Sequence, residues 1–388
     1  MARWKRPIKR VGRYVRAPLR QLKINLKQEL GWLEQPLIQP YRTFGTADRF
    51  RVLGRVVEDS GLVRTKRHNS GAQNVLAMVK RFASDQIPGV CVRARLHDRT
   101  YTAQTDERGF FEFEFAAPEA LNPDTAWHGV ELQLIDEVIE AQRPAEARAE
   151  VLVPPASARF GVISDVDDTI LISRATQTVR KVLLMLLGNA RTRAPFEGVA
   201  AFYRALHAGA GGRERNPIFY VSSSEWNLYD LLADFCAYRN IPKGPFMLRA
   251  WEIDWRRPWR SGGSHDHKHH KIRRVLSTYP DLPFILIGDS GQHDAEIYAE
   301  TVRRYPGRIK AIYIRDVSRP QRDQAIMRIA NRLRTHGVEM LLVSDTEAAA
   351  RHAADRGWID PAALQHVVED RRADQQAPTE VERVFGTE

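Results

Sequence analysis

Residues Phe160 to Ser173 read FGVISDVDDTILIS: an apolar run, then Asp165, Asp167 and Asp168, then an apolar run again. Aspartate ends strands and opens turns, but carboxylates a few ångströms apart each raise the cost of ionising the next. The three acids therefore require a counter-charge. Elsewhere, Ile218 to Ser222 runs into Ser222-Ser223-Ser224, and Phe284 to Gly288 runs into Asp289-Ser290-Gly291-Gln292-His293-Asp294. Between them lies His265-Asp266-His267-Lys268-His269-His270-Lys271, ahead of a helical pattern. If these segments end side by side, carboxylates, a hydroxyl and an ammonium converge on one crevice.

Such convergence needs a scaffold, and the patterning after Pro154-Pro155 supplies one. Apolar runs at Phe160–Ser164, Ile218–Ser222, Phe284–Gly288, Ile309–Ile314 and Val338–Val343 are each followed by a helical stretch. Alternating strands and helices predict a doubly wound α/β domain over 156–360, with ligands at the carboxyl ends of a mainly parallel sheet. Before it the period is two: Phe50, Val52 and Val56; Val90, Val92, Ala94 and Leu96; Phe111, Phe113 and Phe115 around Glu112 and Glu114; Val130, Leu132 and Leu134; Val151 and Val153. That alternation, with the turn Asp106-Glu107-Arg108-Gly109, predicts a small all-β sandwich domain over 46–155, a scaffold or docking module without catalytic residues. Residues 361–388 read as a C-terminal tail.

The 388-residue chain is 43% hydrophobic and 28% charged, ordinary for a globular protein of two or three domains. Its longest strongly apolar run, Val182 to Leu187, is six residues, far short of the ~18 needed to cross a bilayer. Cys91 and Cys236 are too few for a disulfide framework or a thiolate metal site, which fits a reducing, cytoplasmic setting.

Of the net charge of +11, ten positive charges precede the first acid, Glu29. The remainder is close to neutral, so no broad nucleic-acid-binding face is expected. Within 1–45, Ile8, Val11, Val15, Leu19, Leu22, Leu26, Leu30 and Leu33 recur at helical steps, interrupted by Pro18. A basic amphipathic helix of this kind either lies on an anionic membrane surface, where each basic residue is worth about 1 kcal/mol, or packs on its own protein with a solvated basic face. A cleaved signal peptide is not expected, because no continuous apolar core is present.

The order Asp165-Val166-Asp167-Asp168-Thr169, a serine ending the next strand, a lysine, and Gly288-Asp289 with Asp294 resembles the four-motif signature of the haloacid dehalogenase superfamily. More narrowly, SDVDDTI, YVSSSEWNLYDLL and FILIGDSGQHDAEIY resemble the actin-patch-type phosphatidate phosphatase family, related to the lipins, over roughly residues 155 to 320. That resemblance implies a Rossmann-like haloacid dehalogenase domain and a covalent route. Asp165 would attack phosphorus, and Asp167 would protonate the leaving alkoxide and then deprotonate water. It further implies Mg²⁺ held by Asp165, Asp289 and the Asp167 backbone carbonyl, with Asp294 near the metal or orienting Lys268. Ser222 and Lys268 would hold phosphate oxygens, Lys271 being the alternative lysine. Asp168 is expected to be structural or a helix cap and Thr169 to position backbone. The histidines at 265, 267, 269, 270 and 293 are not expected to bind zinc, lacking fixed partners.

Substrate class is the least determined. Val179 to Leu187 is apolar, and FMLRAWEIDWRRPWRSGG places Trp251, Trp255 and Trp259 among four arginines. Both lie where this superfamily carries covers over its site, and interleaved tryptophan and arginine suits either a lipid headgroup interface or a packed lid. The leading expectation is an enzyme, a phosphoric monoester hydrolase acting on phosphatidate or a related phospholipid at a membrane surface. A phosphatase for a soluble or polynucleotide monoester, or a non-catalytic phosphate-binding scaffold, is the alternative.

Overall fold

The computed structural model describes residues 27, 32–59, 85–117, 121–166, 197–224, 226–248, 264–317 and 320–376. The amphipathic pattern up to Leu26, Asp167, Asp168, Thr169, the Val179 to Leu187 stretch, the tryptophan-rich stretch from Arg249 to Gly263, the His265 side chain and the last dozen residues lie outside them.

The described residues form a mixed α/β structure with three sheets. One sheet holds β1 (Pro36–Tyr41), β3 (Arg49–Glu58) and β6 (Phe110–Ala116), in the order β1-β3-β6. The second holds β2 (Thr43–Phe44), β4 (Cys91–Leu96), β5 (Arg99–Gln104), β7 (Trp127–Leu134) and β8 (Glu146–Leu152), in the order β2-β8-β7-β4-β5. All pairs are antiparallel except β2 with β8. The period-two reading explains the packing: Phe111, Phe113 and Phe115 of β6 are buried while Glu112 and Glu114 face out. They share a core with Phe50, Val92 and Val130.

The third sheet is six-stranded and parallel throughout, in the order β11-β10-β9-β12-β13-β14. Its strands are β9 (Gly161–Asp165), β10 (Ile218–Val221), β11 (Phe246–Met247), β12 (Phe284–Asp289), β13 (Ile309–Arg315) and β14 (Glu339–Val343). β9, β10 and β12 are buried at every residue, as central strands covered on both faces must be. Successive side chains face opposite cores. Ile218 and Tyr220 pack with α1 (Val199–Ala208) and α2 (Tyr229–Tyr238). Phe219 and Val221 pack with α3 (Ser264–Thr278), α4 (Asp294–Arg304) and α5 (Pro320–Leu333). Two further helices, α6 (Thr346–Asp355) and α7 (Ala363–Gln376), join the first face.

Chain order gives the sheet its crevice. From β9 the chain adds β10 and β11 on one side, then crosses to β12 on the other. Strand order thus reverses at β9, and such a reversal opens a cleft at the carboxyl ends of the flanking strands.

The α/β strands fall where expected, but the boundaries of the flanking segments differ. β1 and β2 lie inside the span read as a basic N-terminal segment (1–45): β1 is proline-flanked and only six residues long, so its alternation is faint beside the helical repeat preceding it. β5, RTYTAQ, has no fully buried residue, and its inward face is only Tyr101 and Ala103, half-buried against the core, too short an alternation to stand out.

Residues 363–376, read as part of a tail, form α7. Its role is to complete α1. Gly198 caps α1 without a side chain, and the orphan N–H groups of Gly198 and Ala201 donate instead to Asp374 Oδ2 (2.9 Å) and Asp370 Oδ2 (3.0 Å). Two carboxylates at a helix N-terminus also suit its dipole.

The sandwich and the α/β layers share a continuous seam. Tyr41 and Leu53 are part of one α/β core and Phe44 and Leu152 of the other. Across it, the Tyr279 hydroxyl donates to Gly45 O at 2.9 Å, and Tyr229 OH accepts from Arg42 N at 2.8 Å.

Candidate active site

Asp165 is the last residue of β9 and Asp289 the last of β12, and Ser222 follows β10 directly. Val221 is level with Asp165, and Ile287 with Ser164, so all three residues emerge on one edge of the sheet, at the reversal of strand order. Asp294 begins α4 five residues after Asp289 and is fully buried. Side-chain oxygens of Asp165, Asp289 and Asp294 all lie within 4.8 Å of one another.

The counter-charge that the acids require is partly supplied by α3. Lys268 Nζ lies 2.9 Å from Asp165 Oδ1 and hydrogen-bonds Asp294 Oδ1, with Lys268 only 5% exposed. Burial works against the ammonium, but the charges of Asp165 and Asp294 and the hydrogen bonds to them outweigh it and hold the lysine above its ordinary value. One turn on, Lys271 Nζ donates to Ser222 O at 2.8 Å. The two lysines that the sequence leaves as alternatives thus have different partners: Lys268 sits among the acids, Lys271 beneath the serine.

Local contacts hold each group in place. Asp289 Oδ1 accepts from Gly291 N (2.7 Å) and Gln292 N (3.0 Å), and Asp294 Oδ2 accepts from Asp289 N (3.1 Å). Ser222 N donates to Met247 O at 3.1 Å, and Ser222 Oγ accepts from Ser224 N at 3.0 Å. Gly288 is dictated by space, since a Cβ there would stand 2.3 Å from Asp294 Oδ2.

Arg322, on α5, is a residue the motifs do not reveal. It donates to Ser290 O (3.2 Å), Gln292 O (2.7 Å) and Glu296 Oε2 (2.7 Å), fastening the loop that carries Asp289. No local signal marks it, because it comes from a helix about thirty residues downstream and contacts backbone. Tyr203, which shares a 2.6 Å hydrogen bond with Ser164 Oγ, is similarly silent in sequence.

The four side chains Asp165, Asp289, Asp294 and Lys268 carry three negative charges and one positive. A divalent cation would neutralise the remainder, and an all-carboxylate oxygen set suits a hard ion such as Mg²⁺.

Residues 160–316 match the model of a family described as phosphatidate phosphatase APP1, catalytic domain. Phosphatidate phosphatase APP1 from Saccharomyces cerevisiae is 31% identical over 207 residues, covering 50% of this chain and 34% of the relative. An uncharacterized protein from Schizosaccharomyces pombe is 26% identical over 248 residues, covering 64% of this chain and 39% of the relative. The chain therefore spans between a third and two fifths of the length of these curated relatives. Among solved structures, a carbohydrate acetylesterase from Xanthomonas citri covers 77% of this chain and 74% of its own, at 14% identity and a TM-score of 0.27. The family likeness read from the motifs is borne out over the matched stretch: residues 160–316 are similar to the phosphatidate phosphatase APP1 catalytic domain.

Proposed function

We propose that the chain is a Mg²⁺-dependent phosphatase of haloacid dehalogenase type that hydrolyses phosphatidate, or a related lipid phosphomonoester, through an aspartyl-phosphate. The observation that supports this best is the meeting of Asp165, Asp289, Asp294 and Lys268 where two neighbouring parallel strands end. The match of residues 160–316 to the phosphatidate phosphatase APP1 catalytic domain supports the substrate class.

Asp165, Asp289, Asp294 and the Asp167 backbone would hold the cation, which when bound supplies the charge neutralisation that a phosphate dianion needs beside carboxylates. A carboxylate oxygen of Asp165 attacks phosphorus as the bond to the lipid alkoxide breaks, and Asp167 gives that alkoxide its proton. Asp167 then takes a proton from water, whose oxygen attacks the acyl phosphate, releasing inorganic phosphate and regenerating Asp165. Lys268 and Ser222 hold the non-bridging oxygens. Asp294 keeps Lys268 charged and aimed, and Lys271 fixes the backbone at Ser222.

For docking, the basic stripe within residues 1–34 would place the site at an anionic surface. Among the described residues no helix is long and apolar enough to cross a membrane.

The test is phosphate release from phosphatidate in liposomes, from soluble monoesters and from 3′-phosphorylated DNA, with and without Mg²⁺. Release from phosphatidate that Asp165→Asn abolishes supports the reading; release from the soluble or DNA substrates alone replaces it. Deleting residues 1–34 should weaken vesicle binding and spare turnover of a soluble monoester.

A further inference from the structure

Arg55 lies on β3 of the sandwich, yet it is 1% exposed and its guanidinium faces the α/β layers. Its Cζ sits 3.4 Å from the centroid of the Trp226 ring and 5.2 Å from that of Phe110. Phe110 meets Trp226 edge-on at 5.1 Å, so the indole is enclosed by a cation on its face and a ring at its side. The Arg55 Nε hydrogen bond to Arg108 O, at 3.0 Å, fixes the guanidinium from behind. Trp226 follows Ser222 by four residues and opens the 3₁₀ turn Trp226–Leu228 that leads into α2. Ser224 N donates to Ser222 Oγ at 3.0 Å and Trp226 stands two residues further along the chain, so a shift of Trp226 has a short covalent path to Ser224 and Ser222.

We propose that Arg55 of the sandwich is a positioning residue for the phosphate-holding loop at Ser222, acting through Trp226. This gives the sandwich, read from its lack of catalytic residues as a scaffold or docking module, a part in the reaction. The inference rests on the reading of Ser222 as a phosphate ligand. The physical reason is geometric: a buried arginine loses its hydration and keeps its place only through fixed partners. A guanidinium stacked on an indole is among the stiffer contacts available to two side chains.

Arg55→Met and Trp226→Leu should each lower kcat/KM for a soluble monoester such as p-nitrophenyl phosphate by about tenfold, since small misplacements of a phosphate ligand are costly. Backbone hydrogen exchange at residues 222–224 should quicken in both. Trp226→Phe keeps an aromatic face and should stay within about twofold of wild type. Lys243→Met is the control for the seam in general. It removes the Lys243–Glu150 ion pair and the contact over Trp127 at 4.3 Å, and should lower the melting temperature with kcat/KM unchanged.

If Arg55→Met and Trp226→Leu melt earlier but retain wild-type kcat/KM and exchange, the inference is overturned. Should Arg55→Met fail to fold, Trp226→Leu alone decides. Should wild type hydrolyse no phosphomonoester, the proposed function fails while exchange at 222–224 still judges the link: quickening sustains it and no change refutes it.

Discussion

Gly288 and Asp294 pack so closely that a methyl group on the glycine would meet the aspartate Oδ2 at 2.3 Å. The same oxygen accepts from Asp289 N, so the glycine, the buried acid and the strand-end acid form one rigid unit. Gly288→Ala must push Asp294 away from Lys268 and Asp289. The expected cost is about 1–3 kcal/mol of stability, the range for overpacking, together with a loss of metal-dependent activity. A melting curve and a Mg²⁺ titration of turnover measure the two; wild-type values in both refute the packing argument.

Lys268 is the ammonium among these acids, and its removal should alter how much the fold depends on metal. In Lys268→Met the carboxylates face one another without it, so the metal-free protein should lose several kcal/mol, on the order of 3 for a broken buried pair. Saturating Mg²⁺ should then raise the melting temperature of the variant more than that of wild type, because a ligand stabilises in proportion to its binding to the folded state. Equal Mg²⁺-induced shifts would show that the ion does not share this site.

Glu296 titrates below its ordinary value, chiefly through its hydrogen bonds from Arg322. A carboxyl depressed in the folded state adds stability that is complete above its unfolded value of 4.5 and disappears as pH falls through the lower folded one. With Glu296 42% exposed, screening limits the pair to about 0.5 kcal/mol. Glu296→Gln should therefore be slightly less stable than wild type at neutral pH, with the gap closing as pH falls below 4.5 through the lower folded value and shrinking in high salt. Denaturant midpoints across pH check this, and a gap that widens toward acid contradicts it.

Asp370 and Asp374 give α1 the caps that its own sequence omits. Asp374 also pairs with Arg239 at 2.6 Å. Replacing both aspartates by Ala should cost about 1–2 kcal/mol, the range for a lost cap, and lower kcat only slightly, since α1 touches the site through Tyr203, which hydrogen-bonds Ser164 beside Asp165, and not through its capped end. Thermal unfolding and steady-state kinetics on one preparation separate these effects.

Much of this arrangement was readable in the residues. Buried parallel strands are apolar at nearly every position, so β9, β10 and β12 announce themselves, and apart from Ser164 of β9 the polar groups that break those runs are Asp165, Ser222 and Asp289. The lysine position was harder, because Lys268 and Lys271 lie on one helix three residues apart; only the packed helix shows that one reaches the acids and the other a carbonyl. Arg322, Asp374 and Arg55 were illegible for a common reason. Each acts on backbone or on a ring distant in sequence, and such contacts impose no local periodicity. β5 was hidden because an edge strand needs little apolar face, and here Tyr101 and Ala103 alone supply it.

The central claim is that Asp165 takes the phosphoryl group while a divalent cation sits among the acids beside it. The direct measurement is acid-quenched trapping with phosphate-labelled substrate, followed by peptide mapping. The account predicts label on the peptide containing Asp165, formed with Mg²⁺ and absent with chelator or in Asp165→Asn. Turnover without any trapped label on that peptide, or turnover retained by Asp165→Asn, would contradict it.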